Sequence, residues 1–281
     1  MRVLRGRADT IDADRRASES LLEFAADGEP AVRVWRPHRQ VAFGRRDRRQ
    51  EGYDEAYEAA REHGFAPIER SVGGRAVAYD GETTIAFARA DPVEDFRRGT
   101  DARYERATNA TERALSELGV DAERGEPADA FCPGSHSVSA RLTAAGGNRD
   151  PTLGKLVGLA QRVRQDAALT AGIVLVDNRE EIGPVLESVY GALGLAFDPD
   201  SVGTIAAAGG DPHPAVVRAR FEEALIGDVD SEAVTVESVP VEDDGGSADS
   251  DQSNGGPAAQ QPDADAVDDR STRGWDREEY E

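Results

Sequence analysis

Short segments in which apolar and polar residues alternate follow one another closely between residues 31 and 176. Such alternation, interrupted by glycine or proline, is typical of β-strands that share a sheet. The predicted strands span residues 31–36, 40–44, 67–70, 75–79, 83–89, 137–142, 155–163 and 168–176. Because most of them follow each other in pairs, with helices grouped beside them, the pattern indicates an α+β fold with a mixed, largely antiparallel sheet packed by helices.

Five other segments have the apolar spacing of amphipathic helices. They span residues 14–26, 53–63, 101–118, 184–193 and 214–225. Gly28, Gly64 and Gly119 follow the first three and can end them. Pro184 and Pro214 are expected in the first turns of the last two, where proline costs no helical hydrogen bond.

The chain divides into two regions of different composition. Residues 1–228 mix apolar periodicity with turn signals and are predicted to form one domain. Residues 231–281 contain 15 acidic and 3 basic residues, which supply −12 of the formal net charge of −22. Because so polar a segment cannot bury enough surface to offset its ordering entropy, residues 229–281 are predicted to be a mostly disordered acidic tail. A short strand is expected within it at 233–241.

Charge and composition exclude several classes of function. The net charge of −22 argues against nucleic-acid binding. An acidic chain that is rich in arginine and poor in lysine suits a protein in concentrated salt, so we expect halophilic adaptation. The single cysteine excludes an intramolecular disulfide, and with four scattered histidines it predicts no metal site. With neither an apolar run of membrane length nor a secretory signal, the protein is expected to be cytoplasmic and to have no membrane partner.

Lys155 is the only lysine among the 281 residues. Lysine offers a compact point charge that its surroundings can tune, whereas arginine is a wide planar fork that stays protonated. Gly154 and Gly158 bracket Lys155, and glycine permits close backbone approach to a ligand. We therefore expect a site that requires this ammonium; the alternative is one lysine that survived a drift in composition.

Two further clusters could carry chemistry. Gly73 and Gly74 lie between two predicted strands, where backbone N–H groups can approach an anion or a carboxylate; the alternative is a simple hairpin turn. Cys132 lies four residues before His136. A neighbouring imidazole would promote thiolate formation and make the cysteine a nucleophile. The alternative is an inert, buried cysteine.

In this order along the chain, the clusters resemble the catalytic domain of the biotin/lipoate protein ligase family, in its lipoate branch. The resemblance runs from about residue 12 to about residue 205 and includes Trp35 and the Gly44-Arg45 pair. The family stretch Arg-x-Ser/Thr-Gly-Gly-Gly-Ala-Val is similar to Arg70, Gly73, Gly74, Ala76 and Val77, with Arg75 at the third glycine. The family signature Lys-x-x-Gly-x-Ala-Gln resembles Lys155, Gly158, Ala160 and Gln161.

The resemblance implies a fold like that of class II aminoacyl-tRNA synthetases and biotin ligases, and a ligase that uses ATP, Mg²⁺ and lipoate. Such enzymes form an acyl-adenylate and attach lipoate to a lysine of a carrier domain in 2-oxoacid dehydrogenase or glycine-cleavage proteins, in some cases with a separate accessory subunit. Lys155 would contact the reacting carbonyl and the adenylate phosphate, where negative charge develops. Substrate and adenylate contacts are implied for Arg70, Gly73, Gly74, Arg75, Ala76, Val77, Gly158, Ala160 and Gln161.

Two alternatives remain open. Related transferases resemble this chain in placing a cysteine near a proline upstream of the lysine strand, here Cys132 before Pro133. The protein would then transfer octanoyl or lipoyl groups through Cys132 without ATP. In the second alternative it is a non-catalytic homologue that binds lipoate, a reading suggested by Val72 and Tyr79, which depart from the family pattern.

Overall fold

The computed structural model describes residues 1–70, 73–143 and 152–238, all of which belong to one compact unit. Most of the predicted acidic tail, residues 239–281, lies outside the described residues. The predicted boundary at residue 228 therefore stays a prediction. Within the described ranges, no helix is both long and apolar enough to cross a membrane.

Five α-helices form within the described residues, and each matches a predicted one. They are α1 (Ile11–Ala26), α2 (Tyr53–Glu62), α3 (Thr100–Glu117), α4 (Arg179–Ala192) and α5 (Pro214–Ile226). Helix α1 begins earlier than predicted because the Thr10 hydroxyl caps it, accepting a 3.2 Å hydrogen bond from the Ala13 N–H. Pro184 was wrongly predicted in a first turn: it lies inside α4, on an exposed side where water can bond to the carbonyl that loses its partner.

The described residues contain eleven strands in two sheets. They are β1 (Arg2–Arg5), β2 (Ala31–Trp35), β3 (Gln40–Phe43), β4 (Ala66–Glu69), β5 (Val77–Tyr79), β6 (Thr84–Pro92), β7 (Ala122–Arg124), β8 (Ser137–Arg141), β9 (Leu153–Val163), β10 (Ala167–Leu175) and β11 (Glu232–Thr235). The large sheet has the order β11-β1-β2-β6-β10-β9-β8-β7. It is parallel from β11 to β2 and antiparallel from β2 to β7, which confirms the predicted mixed, largely antiparallel sheet.

The smaller sheet has the order β4-β3-β5, which excludes the alternative of a simple hairpin turn at Gly73 and Gly74. Strands β4 and β5 do not form a hairpin around Gly73 and Gly74, because β3 lies between them. Strand β3 pairs in parallel with β4, and helix α2 makes the crossover that a parallel pair requires. The turn at Gly73 and Gly74 is consequently not a hairpin turn. It connects β4 and β5, which are not neighbours in the sheet.

Alternate residues of the large sheet enter different cores. On β6, Ile85 and Phe87 pack with α3 and α5, whereas Ala86 between them packs with the smaller sheet and α4. The side chains of successive strand residues point to opposite faces. Helices α3 and α5 therefore cover one face of the large sheet, and the smaller sheet, α2 and α4 cover part of the other.

Candidate active site

A register shift in β9 decides where Lys155 points. Val157 pairs with Val138, but the next pair joins Lys155 to Ser139, so Leu156 is an extra residue on β9. A bulge of this kind reverses the alternation of side chains beyond it. Lys155 and Gly158 consequently lie on the same face, and a Cβ on Gly158 would be 3.3 Å from Lys155 Cε. The three-residue spacing, which in a regular strand would separate them, brings them together.

The ammonium of Lys155 is completely buried and has three acceptors. Its Nζ donates to Glu126 Oε2 at 2.8 Å, to the Phe131 carbonyl at 2.9 Å and to the Cys132 carbonyl at 2.8 Å. An ammonium has three hydrogens, so every donor is used. In this arrangement Lys155 fixes the main chain at residues 131 and 132.

The thiol of Cys132 receives two hydrogen bonds. Arg70 Nη2 lies 3.1 Å from Sγ, and the Arg75 backbone N–H donates to Sγ with an N–S distance of 3.3 Å. The cysteine has a left-handed backbone (φ 43°), which its own N–H stabilises by donating to the Tyr190 hydroxyl at 2.5 Å. His136, expected beside the thiol, instead stacks on Tyr104 at 3.7 Å between ring centroids. The donors to Sγ are thus a guanidinium and a backbone amide, and the imidazole of His136 is not among them.

Gly74 allows these groups to meet. It has φ 109°, and a Cβ there would lie 2.3 Å from Arg70 Nη2 and 2.6 Å from Cys132 Sγ. Any side chain would displace the guanidinium, the thiol or both. Gly73 has open space instead: apart from its chain neighbours, no atom of the described residues lies within 4 Å of a Cβ placed on it. The end of the turn is held by the Ala76 carbonyl, which accepts a 3.0 Å hydrogen bond from the Tyr190 hydroxyl.

Burial and charge shape the ionisation of the groups around the thiol. Burial acts to lower the pKa of Arg70, but Cys132 and Tyr79 beside it raise that pKa above its ordinary value on balance. Burial raises the pKa of Tyr79, against the opposing effect of Arg70. Burial also raises the pKa of Tyr190. The site therefore keeps a charged arginine and two neutral phenols close to one thiol.

A cavity of about 190 Å³ opens beside Cys132 and is lined by the two sheets and helix α1. Its floor consists of two rows of small or aliphatic residues across β6, β10 and β9: Ala86, Ile173 and Gly158, then Ala88, Ala171 and Ala160. Its roof consists of paired residues of the smaller sheet: Gln40, Tyr79, Ala42, Val77 and Ile68. Short side chains on the floor leave the space that longer ones would fill. The result is a mostly apolar slot with Cys132 on its wall.

The structure places the predicted site residues in two groups. The cavity wall includes Arg70, Val77, Cys132, Gly158 and Ala160. Lys155, Gly73, Gly74, Arg75, Ala76 and Gln161 are not part of that wall as described. Gln161 lies on the α3 side of the sheet, where its Oε1 accepts from Arg103 Nε at 3.2 Å and its Nε2 donates to the Thr100 carbonyl at 3.0 Å.

Three residues of the site have no counterpart in the sequence analysis. Glu126 accepts from Lys155, Tyr190 bridges Cys132 and Ala76, and the fully buried Asp47 accepts from Arg75 Nη1 at 3.2 Å. Each is far from its partner in the sequence. Asp47 alone had a visible signal, since it is the one acid within a run of four arginines. Residues 71–72, including the departure at Val72, lie outside the described residues.

Solved structures share the fold. A Thermoplasma acidophilum protein solved with bound lipoic acid superposes with a TM-score of 0.60 at 19% identity, covering 83% of this chain and 88% of that one. A lipoate-protein ligase A bound with ATP gives a TM-score of 0.61 at 20% identity, covering 84% of this chain and 91% of that one. At such identities the likeness concerns the fold alone.

Sequence comparison gives a more specific result. An octanoyl-[GcvH]:protein N-octanoyltransferase of Geobacillus kaustophilus is 29% identical over 118 residues, which is 41% of this chain and 40% of that protein. The chain thus matches less than half the length of this curated relative. A family profile described as lipoyl protein ligase A/B catalytic domain matches residues 15–210, most of the described chain. The chain therefore belongs to the lipoyl protein ligase A/B catalytic-domain family.

Proposed function

We propose that this protein transfers an acyl group, octanoyl or lipoyl, to a lysine of a carrier domain, and that Cys132 carries the acyl group as a thioester. The observation that supports this most directly is the position of the thiol. Cys132 lies on the wall of an apolar slot, and its Sγ accepts from Arg70 and from the Arg75 backbone N–H. Donors of this kind stabilise a thiolate, which is the nucleophilic form.

The reaction has two steps. The Cys132 thiol gives up its proton, and the thiolate attacks the carbonyl carbon of a donor thioester; a C–S bond to Cys132 forms, the donor C–S bond breaks, and the donor leaves as a thiol after taking that proton. The amine of the acceptor lysine then attacks the same carbonyl carbon. A C–N bond forms, the bond to Cys132 breaks, and the proton lost by the amine restores the thiol. The apolar slot holds the alkyl chain in both steps.

Lys155 is a positioning residue in this mechanism. Two of its three hydrogen bonds hold the carbonyls of Phe131 and Cys132, and the third holds Glu126. The thiol hydrogen bonds depend on the strained main-chain conformation at Cys132, where φ is 43°. By fixing the carbonyl of that residue, Lys155 orients Sγ toward the cavity.

An ATP-dependent ligase is the second candidate, and two observations favour it. Gly73 leaves open space beside its backbone, and the cavity wall includes the cationic side chains Arg15 and Arg162, which could contact phosphate. The described residues hold no group of three or more His, Cys, Asp or Glu for a metal, so Mg²⁺ would be bound chiefly through the nucleotide phosphates. Lys155 would have to exchange one of its present acceptors for the adenylate.

The donor requirement separates these candidates. The purified protein is incubated in concentrated salt with an octanoyl carrier-protein thioester, without ATP, and analysed by intact-mass spectrometry. Because Cys132 is the only cysteine, a thioester can form nowhere else. We expect an acyl adduct that hydroxylamine removes and that Cys132→Ala lacks, followed by transfer to a carrier lysine.

A Cys132→Ala protein with full transfer activity would exclude this mechanism. Pyrophosphate exchange into ATP that depends on lipoate would instead support the ligase. Lipoate binding without adduct, exchange or transfer on any carrier would indicate a non-catalytic homologue.

A further inference from the structure

The link between β3 and α2 carries an unusual charge. Residues 45–49 of this link, Arg-Arg-Asp-Arg-Arg, contain four cations and one anion in a chain with a net charge of −22, and Glu51 adds a second anion before α2. We call residues 45–49 the arginine loop. All four arginines are exposed, whereas Asp47 is completely buried.

Most of the positive charge of the arginine loop is not neutralised by its surroundings. Arg48 pairs with Glu69 at 2.9 Å. Arg45, Arg46 and Arg49 make no ion pair with any residue in the described ranges. An acidic protein offers many carboxylates for pairing, so exposed arginines that remain unpaired are available to a partner.

The arginine loop is fixed to the thiol through Arg75. The backbone N–H of Arg75 donates to Cys132 Sγ with an N–S distance of 3.3 Å, and its Nη1 lies 3.2 Å from Asp47 Oδ1. The other oxygen of Asp47 accepts from the Gly44 N–H at 2.8 Å. A Cβ on Gly44 would lie 1.9 Å from the Gly74 carbonyl oxygen, so the two backbones are in direct contact. The loop therefore has a defined position next to the reacting group.

We propose that the arginine loop is the docking surface for an acidic carrier domain that presents its acceptor lysine to acyl-Cys132. This inference rests on the proposed function. An acidic face around the acceptor lysine would be repelled by most of this protein and attracted to the loop, so the charge pattern selects both the partner and its orientation. Exposed pairs are individually weak, but three arginines acting together give a measurable, salt-dependent contribution.

Direct binding tests this surface. A fluorescently labelled lipoyl carrier domain with acidic residues around its lysine is titrated with the full chain, and Kd is measured by anisotropy at several salt concentrations. For Arg45→Gln combined with Arg46→Gln and Arg49→Gln we expect Kd to rise about tenfold in moderate salt and its salt dependence to decrease. The matched control changes three other exposed arginines to glutamine, Arg97, Arg98 and Arg141, and should leave Kd within about twofold of the wild type.

A carrier variant completes the test. Changing the acidic residues around the acceptor lysine to their amides should weaken binding to the wild type but not further weaken binding to the loop variant. Equal Kd values for the loop variant and the control would overturn the proposal. So would additive effects of the carrier changes and the arginine-loop changes on binding, or an arginine loop that binds RNA more tightly than it binds the carrier. Adduct formation on Cys132 is measured separately with a small octanoyl thioester. Its absence would overturn the proposed function while the binding result remains interpretable.

Discussion

Lys155 and Arg70 both bring a cation to Cys132, but they bind different atoms of it. Lys155 Nζ contacts the Cys132 carbonyl at 2.8 Å, whereas Arg70 Nη2 contacts the thiol at 3.1 Å. Lys155 has used all three of its hydrogens on protein acceptors. Arg70 retains a buried Nε without a partner in the described residues and lies on the cavity wall.

This difference indicates that Lys155 has a structural role, whereas Arg70 acts on the thiol. The compact ammonium suits a buried position where three acceptors converge. The planar guanidinium can reach the thiol and the Arg75 carbonyl, at 2.7 Å, with one nitrogen. We therefore expect substitutions of Lys155 to affect stability and activity together, and substitutions of Arg70 to affect mainly the thiol.

The largest effect is expected for Lys155→Met. This change leaves two buried carbonyls without their donor and removes the cation that pairs with Glu126, whose carboxylate keeps hydrogen bonds from the Ser137 hydroxyl and the Gly134 N–H. Removing one partner of a buried ion pair is costly. Such a loss typically costs about 3 to 5 kcal/mol. Because the Glu126 side chain is 22% exposed, we expect a value at the lower end, about 3 kcal/mol in the free energy of unfolding. Urea denaturation measures this loss of stability. Formation of the acyl adduct on Cys132 should also be lost.

A double variant sharpens this result. Lys155→Met combined with Glu126→Gln removes the uncompensated carboxylate and should recover part of the stability, but not the adduct. If Lys155→Met unfolds at the wild-type urea concentration, Lys155 does not hold the main chain at residues 131 and 132.

The next largest effect is expected for Gly74→Ala. The new Cβ would meet both Arg70 Nη2 and Cys132 Sγ, at a backbone angle (φ 109°) that alanine rarely adopts. We expect a loss of about 2 kcal/mol in the free energy of unfolding, and slower alkylation of Cys132 by iodoacetamide. Gly158→Ala is the control, since its Cβ would meet only the Lys155 side chain, with Cε at 3.3 Å and Nζ at 3.7 Å, and its backbone is not left-handed. Equal losses in both variants would contradict the role assigned to Gly74.

The sequence identified the elements of this site better than their contacts. The strand with Lys155, the long helix α3 and the glycines at positions 73 and 74 follow from local patterns, because periodicity and turn chemistry act over a few residues. The pairing of β3 with β4 could not be found in this way. A parallel pair closed by α2 depends on contacts between residues far apart in the sequence, whereas local patterns at Gly73 and Gly74 are equally compatible with a hairpin turn.

Side-chain roles were the least predictable part. Nothing in the Lys155 strand indicates the extra residue at Leu156, yet that bulge puts Lys155 and Gly158 on one face. Glu126 lies in an irregular stretch with no distinguishing neighbours, and its role follows only from a contact across 29 positions. Such contacts arise from tertiary packing and leave no local pattern.

A smaller effect is expected for Arg70→Met. Loss of one charge-assisted hydrogen bond, worth about 1.5 kcal/mol, should slow the alkylation of Cys132 about tenfold at fixed pH and salt. Because the chain has a single cysteine, the labelling rate reports this thiol alone. Arg70→Lys keeps the charge and should fall between the wild type and Arg70→Met. An unchanged rate in Arg70→Met would show that Arg70 resembles Lys155 in being structural.

Asp80 is a buried anion that can be compared with the buried cations Lys155 and Arg70. The smallest effect, on stability at low pH, is expected there. Burial acts to raise the pKa of its carboxyl, but hydrogen bonds from the Thr83 hydroxyl, the Asn178 amide and two backbone N–H groups lower that pKa on balance. A lowered folded-state pKa adds stability that is complete above the unfolded value of about 3.9 and is lost as pH falls toward the folded value. We therefore expect the urea midpoint of the wild type to fall more steeply below about pH 4 than that of Asp80→Asn, which has no carboxyl to protonate there. Other carboxyl groups titrate in both proteins, so the difference between the two curves isolates Asp80. Parallel curves would show that this saturated anion, unlike Lys155, contributes nothing to the folded state through its charge.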